Sequence, residues 1–219
     1  MNKKLFVALV ALLLVAVFMG ATYVYRAEKA QQAASLAARN RDALERAHAP
    51  TLGPAQAPVH IVEFLDPACE TCAAFWPLVK QLMARHPRDV RLSIRYAPLH
   101  QGSLDVIRLL EASRLQGRYW ETLETLLRTQ DAWTEHHTAR IERVWPQLGG
   151  VGLDLARLKA DMASPAIERL IEQDVRDLRA LNVSKTPEYF VNGRPLPEFG
   201  FDPLVALVQQ ELQAAGRAR

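Results

Sequence analysis

The two cysteines of this chain constrain it most, because they fall where an apolar strand turns into a helix. Pro58 to Leu65 is apolar at Val59, Ile61, Val62 and Phe64, the near-continuous pattern of a strand buried on both faces. It runs directly into Cys69-Glu70-Thr71-Cys72, and residues 70 to 85 read as a helix. No other cysteine occurs. A pair three positions apart is too close to staple distant parts of a fold and too small for a disulfide scaffold, so it points to chemistry. At the junction the first sulfur meets the unpaired N–H groups and positive dipole end of the helix, which favour a thiolate. Cys69 is the expected nucleophile. Cys72, one turn on and facing inward, is the expected resolving thiol.

After the helix, Val90, Leu92, Ile94 and Tyr96 alternate with Arg91, Ser93 and Arg95 as a second strand. Strand, helix and strand within about forty residues make a βαβ unit with parallel strands and a right-handed crossover. From Ser103 to Leu181 helical periodicity is almost continuous, broken at Gly117, Gly149-Gly150 and Ser164-Pro165. Glu188 to Val191, Asn192-Gly193, then Arg194 to Phe199 reads as a hairpin, since Asn-Gly supplies the positive φ angles of a type I′ turn. Pro195 and Pro197 mark its second strand as an edge. Asp202-Pro203 suits the cap and first position of a final helix to about Ala215.

Leu5 to Tyr25 carries no charge. A run of about 20 apolar residues matches a ~30 Å hydrocarbon core, so residues 1–25 are expected to be a transmembrane anchor through 5–25. A cleaved signal peptide is the competing reading, since Lys3-Lys4 form a basic start, but the apolar run is long for one and no convincing small-x-small site appears around 18–22. Lys3 and Lys4 in front are answered by Arg26, Lys29, Arg39 and Arg41 behind, so flanking charge leaves the orientation open. Residues 26–50, rich in Ala, Gln, Arg and Glu, read as a solvated helical spacer. The net charge of +3 is weak and its basic residues are interleaved with acids, which argues against nucleic acid.

The segment Val62-Glu63-Phe64-Leu65-Asp66-Pro67-Ala68-Cys69-Glu70-Thr71-Cys72, with Pro77 five residues on and Thr186-Pro187 far downstream, resembles the active site of the thioredoxin superfamily, in particular its DsbA-like branch. The resemblance implies an α/β, thioredoxin-like fold over 51–219 with a large helical insertion at about 102–182, preceded by the transmembrane helix. It implies Glu63 as the buried acid near the resolving cysteine, Pro77 as a helix kink, and Thr186-Pro187 as a cis-proline loop offering an edge to an extended substrate. Glu63 in an apolar strand is expected to have a raised pKa and to exchange a proton with Cys72. Asp66, Pro67, Glu70 and Thr71 are the expected tuning residues. The strongly oxidising members resembled carry Pro-His between their cysteines; here Glu70-Thr71 stands there, and a carboxylate beside Cys69 is expected to raise its pKa and give a less oxidising pair.

The expected activity is dithiol oxidation or isomerisation of exported proteins through the Cys69–Cys72 disulfide, with no other cofactor and no metal. The catalytic domain would lie on the periplasmic side of the inner membrane. A quinone-linked DsbB-like oxidase, or a DsbD-like reductase, is the implied membrane partner. Two alternatives stay open: a membrane-anchored reductase for a narrow client such as an apocytochrome or a metal-site assembly protein, and a Cu(I) chaperone using the two thiolates. A metal half-site would need ligands from scattered histidines such as His60, His86 and His100. His136-His137 reads as a surface pair, His100 as a capping or solvated residue that could also face the site, and Trp76, Trp120, Trp133 and Trp145 as core.

Overall fold

The structure, a computed structural model, describes residues 3–217, with the side chains of 4–10, 26–27, 29–30 and 33–34 outside that description. It divides into two units, Met1–Arg39 and Asn40–Arg219. Helix α1 (Lys3–Leu44) runs through the first and ends in the second. Anchor and spacer are therefore one helix with no joint near residue 25, and it stops at Leu44 rather than Pro50, where Ala49 N–H turns back to the Arg46 carbonyl at 3.0 Å. Within the expected 5–25 span, the side chains of residues 5–10 lie outside that description. Among the described residues no helix is long and apolar enough to cross a membrane.

The second unit continues as β1 (Thr51–Leu52), β2 (Val59–Leu65), α2 (Glu70–Arg85), β3 (Val90–Tyr96), α3 (Ser103–Arg114), α4 (Tyr119–Arg128), α5 (Gln130–Trp133), β4 (Thr134–Glu135), β5 (Thr138–Ala139), α6 (Ile141–Val144) leading into a 3₁₀ turn, α7 (Leu155–Asp161), α8 (Pro165–Ala180), β6 (Glu188–Val191), β7 (Arg194–Pro195) and α9 (Phe201–Arg217). The sheet order is β1-β3-β2-β6-β7. β2 pairs parallel to β3, as the βαβ reading requires, and antiparallel to β6. Every residue of β2 is buried. α2, the insertion and α9 pack on the sheet around a main core that includes Val59, Ile61, Leu92, Ile94, Leu109 and Val208, and a second, smaller cluster gathers Leu44, Val62, Phe64, Leu178 and Phe190.

Three expectations need correction. The insertion is not all helix, because β4 and β5 form a small hairpin whose turn residues His136 and His137 sit at φ 50° and 59°. Two-residue strands leave no periodicity to read. The C-terminal hairpin turns at Asn192 (φ 47°) and Gly193 (φ 82°) as expected, but its second strand is only Arg194–Pro195, since Pro195 ends the supply of N–H donors. Asp202 does not cap α9; it lies in the first turn of a helix that starts at Phe201.

The polar members of β3 are not a solvent face either. Ser93 and Arg95 are buried, and Arg95 is fully excluded from solvent. Its guanidinium donates to Asp174 Oδ1 at 2.8 Å and Asp177 Oδ2 at 2.6 Å on α8, and to the Ala43 and Leu44 carbonyls at 2.6 and 3.2 Å, the unsatisfied end of α1. Arg46 and His48 reach the same two carboxylates at 2.6 Å. Asp174 also accepts the Tyr96 N–H at 2.8 Å. One buried cation thus ties the sheet, the insertion and the end of α1 together.

A buried pair broken on one side leaves an uncompensated charge, which costs about 3–5 kcal/mol. Arg95→Met is expected to lose stability of that order in urea unfolding at pH 7. Adding Asp174→Asn and Asp177→Asn should recover part of the loss, and a single variant as stable as wild type would refute this account.

Candidate active site

Cys69 stands at the N-cap of α2 with extended backbone (φ −79°, ψ 117°), and Glu70 opens the helix. Asp66 accepts the Ala68 N–H at 2.9 Å, and the Cys69 N–H returns to the Asp66 carbonyl at 3.0 Å, so the turn between β2 and α2 is closed by its own residues. Gln130, on α5, donates its side-chain amide to the Pro67 and Cys69 carbonyls at 2.7 and 3.1 Å. The insertion therefore latches the loop from the other side.

The peptide bond Thr186-Pro187 is cis, as the resemblance implied, and Cys69 Sγ lies 3.2 Å from the Thr186 carbonyl oxygen. Both cysteines are free thiols. They differ sharply in acidity. Cys69 is pulled down to about 5, first by a hydrogen bond from the Cys72 thiol, against the opposing effect of burial, and further by Thr186 and the backbone N–H groups of Cys72 and Thr71 at the helix start. Cys72 is pushed well up by burial, with the hydrogen bond to Cys69 and the nearby Glu63 adding to the rise.

Glu63 is fully buried on β2, and neither carboxyl oxygen is in hydrogen-bonding geometry with a protein group. Burial pushes it up to about 8; the Tyr189 phenol, opposite it on β6, pulls the other way, and Cys69 adds to the rise. It is therefore mostly a neutral acid at pH 7, the raised pKa expected of it.

Glu70 requires a correction. Its carboxylate is turned outward, exposed and 3.5 Å from His137 Nδ1, instead of lying against the sulfur, and Cys69 is lowered rather than raised. Asp66, one of the expected tuning residues, is completely buried under hydrogen bonds donated by Ala68 N, Leu99 N, His100 N, Ser103 Oγ and His100 Nδ1. His100 and His137 both reach the site, their rings 5.9 Å apart. Gly102 allows this: at φ 81° it packs where a Cβ would collide with the Ala139 carbonyl, and Ala139 N–H bonds the Gln101 carbonyl at 2.8 Å, holding the β4–β5 hairpin against the loop.

The result is a cleft of about 310 Å³ lined by Cys69, Glu70, Thr71, His100, His137 and Thr186, among others. A larger cavity of about 850 Å³, lined by Ile141, Trp145, Met162 and Pro165 among others, contains no thiol and lies away from this chemistry. His60 bonds Ser93 at 2.8 Å inside the fold, and among the described residues no three His, Cys, Asp or Glu side chains gather as metal ligands. Trp76 is buried and stacks on Trp120, while Phe75 stacks on Phe199 at 5.3 Å. His100, His137, Gln130 and Tyr189 are the site residues that sequence reading did not assign; only His100, just past a strand end, carried any signal.

Known proteins share this fold. The chain matches a thioredoxin-like oxidoreductase from Silicibacter pomeroyi DSS-3 with a TM-score of 0.68 and 29% identity, covering 82% of this chain and 99% of that one. Oxidised BdbD from Bacillus subtilis (TM-score 0.65, 23% identity, 75% and 93% covered) and α-DsbA2 from Wolbachia pipientis (0.68, 20%, 84% and 97%) share the fold. Curated relatives include the Na(+)/H(+) antiporter NhaA of Herminiimonas arsenicoxydans, 31% identical over 144 residues, and NhaA 3 of Salinispora tropica, 35% identical over 145. Those matches cover 66% and 65% of this chain but 22% and 21% of the antiporters, so the chain spans about a fifth of their length and the antiporter name belongs to those whole proteins. A family model described as Thioredoxin matches residues 45–209. Because that match runs from the end of α1 through both cysteines and the cis-proline loop into α9, the chain belongs to the thioredoxin family.

Proposed function

We propose that this protein exchanges disulfides with thiol-containing protein substrates, Cys69 forming the mixed disulfide and Cys72 resolving it. The observation that carries the reading is the asymmetry of the pair: a thiol held near pKa 5 in the lining of the cleft, and a fully buried one held high one turn along α2. In the oxidising direction a substrate thiolate attacks Cys69 Sγ, the Cys69–Cys72 bond breaks, and Cys72 leaves as a thiolate that its high pKa makes strongly basic. Glu63, neutral below about 8, can supply that proton without water having to enter the core. A second substrate thiolate then attacks the mixed disulfide, and Cys69 leaves as a stable thiolate.

A low nucleophile pKa stabilises the reduced protein, so it supports an oxidant. Cys69 at about 5 falls between the ~7 of thioredoxin and the ~3.5 of DsbA, which supports a pair less oxidising than the Pro-His type. The partner that resets it is proposed to be a membrane redox protein, a quinone-linked DsbB-like oxidase for this direction. Tethering at the inner membrane with the catalytic unit on the periplasmic side is part of the same proposal. It is supported by the uncharged run Leu5–Tyr25, by the exposed Leu12, Leu13, Leu14, Phe18 and Met19 of α1, and by the need of a stable disulfide for an oxidising compartment.

Alkylation of the reduced protein by iodoacetamide should titrate with a midpoint near pH 5 and vanish in Cys69→Ser, with Cys72 unreactive to pH 9; a midpoint above 8 contradicts the site. The pair is expected to have a reduction potential between the ~−270 mV of thioredoxin and the ~−120 mV of DsbA, and to be mostly oxidised when thiols are trapped in living cells. A mostly reduced pair would turn the reading to the reductase alternative. Glu63 binds a proton in the folded protein up to about pH 8, but only to about 4.5 when unfolded. The Glu63 contribution to stability therefore falls as pH rises from 4.5 to 8, and Glu63→Gln should gain on wild type by roughly 4–5 kcal/mol across that window. The same variant should slow formation of the mixed disulfide in the oxidising direction.

A further inference from the structure

Glu63 serves the buried sulfur, yet nothing in the exchange so far handles protons on the outer side, where substrate thiols arrive. The cleft holds a group arranged for that. His100 shares the lining of the cleft with Cys69, and its Nδ1 is 2.8 Å from Asp66 Oδ2. Asp66 is completely buried and accepts from three backbone N–H groups and the Ser103 hydroxyl as well, so it is fixed in place and takes Nδ1–H as donor. That bond sets the tautomer and leaves Nε2 as the free acceptor of a partly exposed ring. The charged and titratable groups around the ring are Asp66 behind it, His137 across the cleft, Glu70 and Cys69 at the start of α2, and Lys185 beside Thr186.

We propose that the Asp66–His100 pair is the acid–base group on the substrate side, with His100 taking the proton of an attacking substrate thiol and Asp66 positioning the ring. The inference rests on the disulfide-exchange reading. In the oxidising direction His100 removes the first substrate proton, that sulfur bonds to Cys69, and the Cys69–Cys72 bond breaks with Cys72 protonated by Glu63. His100 sheds its proton to water and accepts that of the second substrate thiol, whose sulfur attacks the first and releases the Cys69 thiolate. Glu63 is reprotonated from water. The substrate sulfurs lose two electrons, the protein disulfide gains two, and of two substrate protons the net result is one on Cys72 and one in solution. In the reverse direction His100 protonates the leaving substrate thiolate.

A thiol of pKa ~8.5 is only about 3% ionised at pH 7, so a positioned base is worth up to roughly 30-fold there and nothing near pH ~9.5. The test is single-turnover oxidation of a reduced two-cysteine peptide by the full-length oxidised protein from pH 5.5 to 9.5. His100→Ala and His100→Asn, the latter able to keep a hydrogen bond to Asp66, should run ~10- to 30-fold slower at pH 7 and converge on wild type at high pH. Added imidazole should partly restore His100→Ala, and the iodoacetamide midpoint of Cys69 should stay near 5 in both. A pH-independent slowing would show a structural role and overturn the assignment. So would a raised Cys69 midpoint that accounts for the loss, because His100 would then act through the thiolate. Variants with wild-type profiles overturn it while leaving the exchange reading intact; wild-type protein that oxidises no peptide at any pH overturns both.

Discussion

The site depends on the burial of β2. It lies in the middle of the sheet with every residue covered and a hydrogen-bonded partner on each side. A strand in that position has no slack in register, because a slip of one residue would exchange its two faces. Its end therefore places Cys69 in one spot, and its pairing with β6 sets Glu63 opposite Tyr189, three residues after Thr186. The cis-proline loop meets the nucleophile because two strands are locked side by side. Glu63 is kept neutral for the same reason: at that point of β2 no water can solvate a carboxylate.

From that placement follows a separation of charge across a few ångströms. Negative charge is favoured at the helix start, where N–H groups face Cys69, and disfavoured one turn deeper, where Cys72 is buried in the core near a neutral acid and a phenol. The carboxylates near the motif do not disturb this gradient, since Asp66 is enclosed by donors and Glu70 faces the solvent beside His137.

Much of this was legible in the residues. The apolar run of β2, the helix over 70–85 and the strand over 90–96 have clear periods and matched the structure closely, and Thr186-Pro187 with Asn192-Gly193 carried their turn chemistry in the residue types. What could not be read depends on contacts far along the chain. Arg95 looks like the polar member of an alternating strand until Asp174 and Asp177, some eighty residues later, close on it. His100 and His137 look solvated until a hairpin too short to show a period folds one towards the other. The effect of Glu70 depended on a side-chain direction, which spacing does not encode.

The Gln130 latch bears on how such a fold can diversify. An insertion between two strands is usually a part that evolution can lengthen, trim or replace with little effect on the frame. Here the insertion reaches back twice, through Gln130 to the carbonyls flanking the motif and through Asp174 and Asp177 to a cation inside the sheet. A recombination that swapped this block for a homologous one would have to bring matching contacts at both places. The insertion and the active-site loop are thus one mechanical unit, in which neither part can be exchanged without refitting the other.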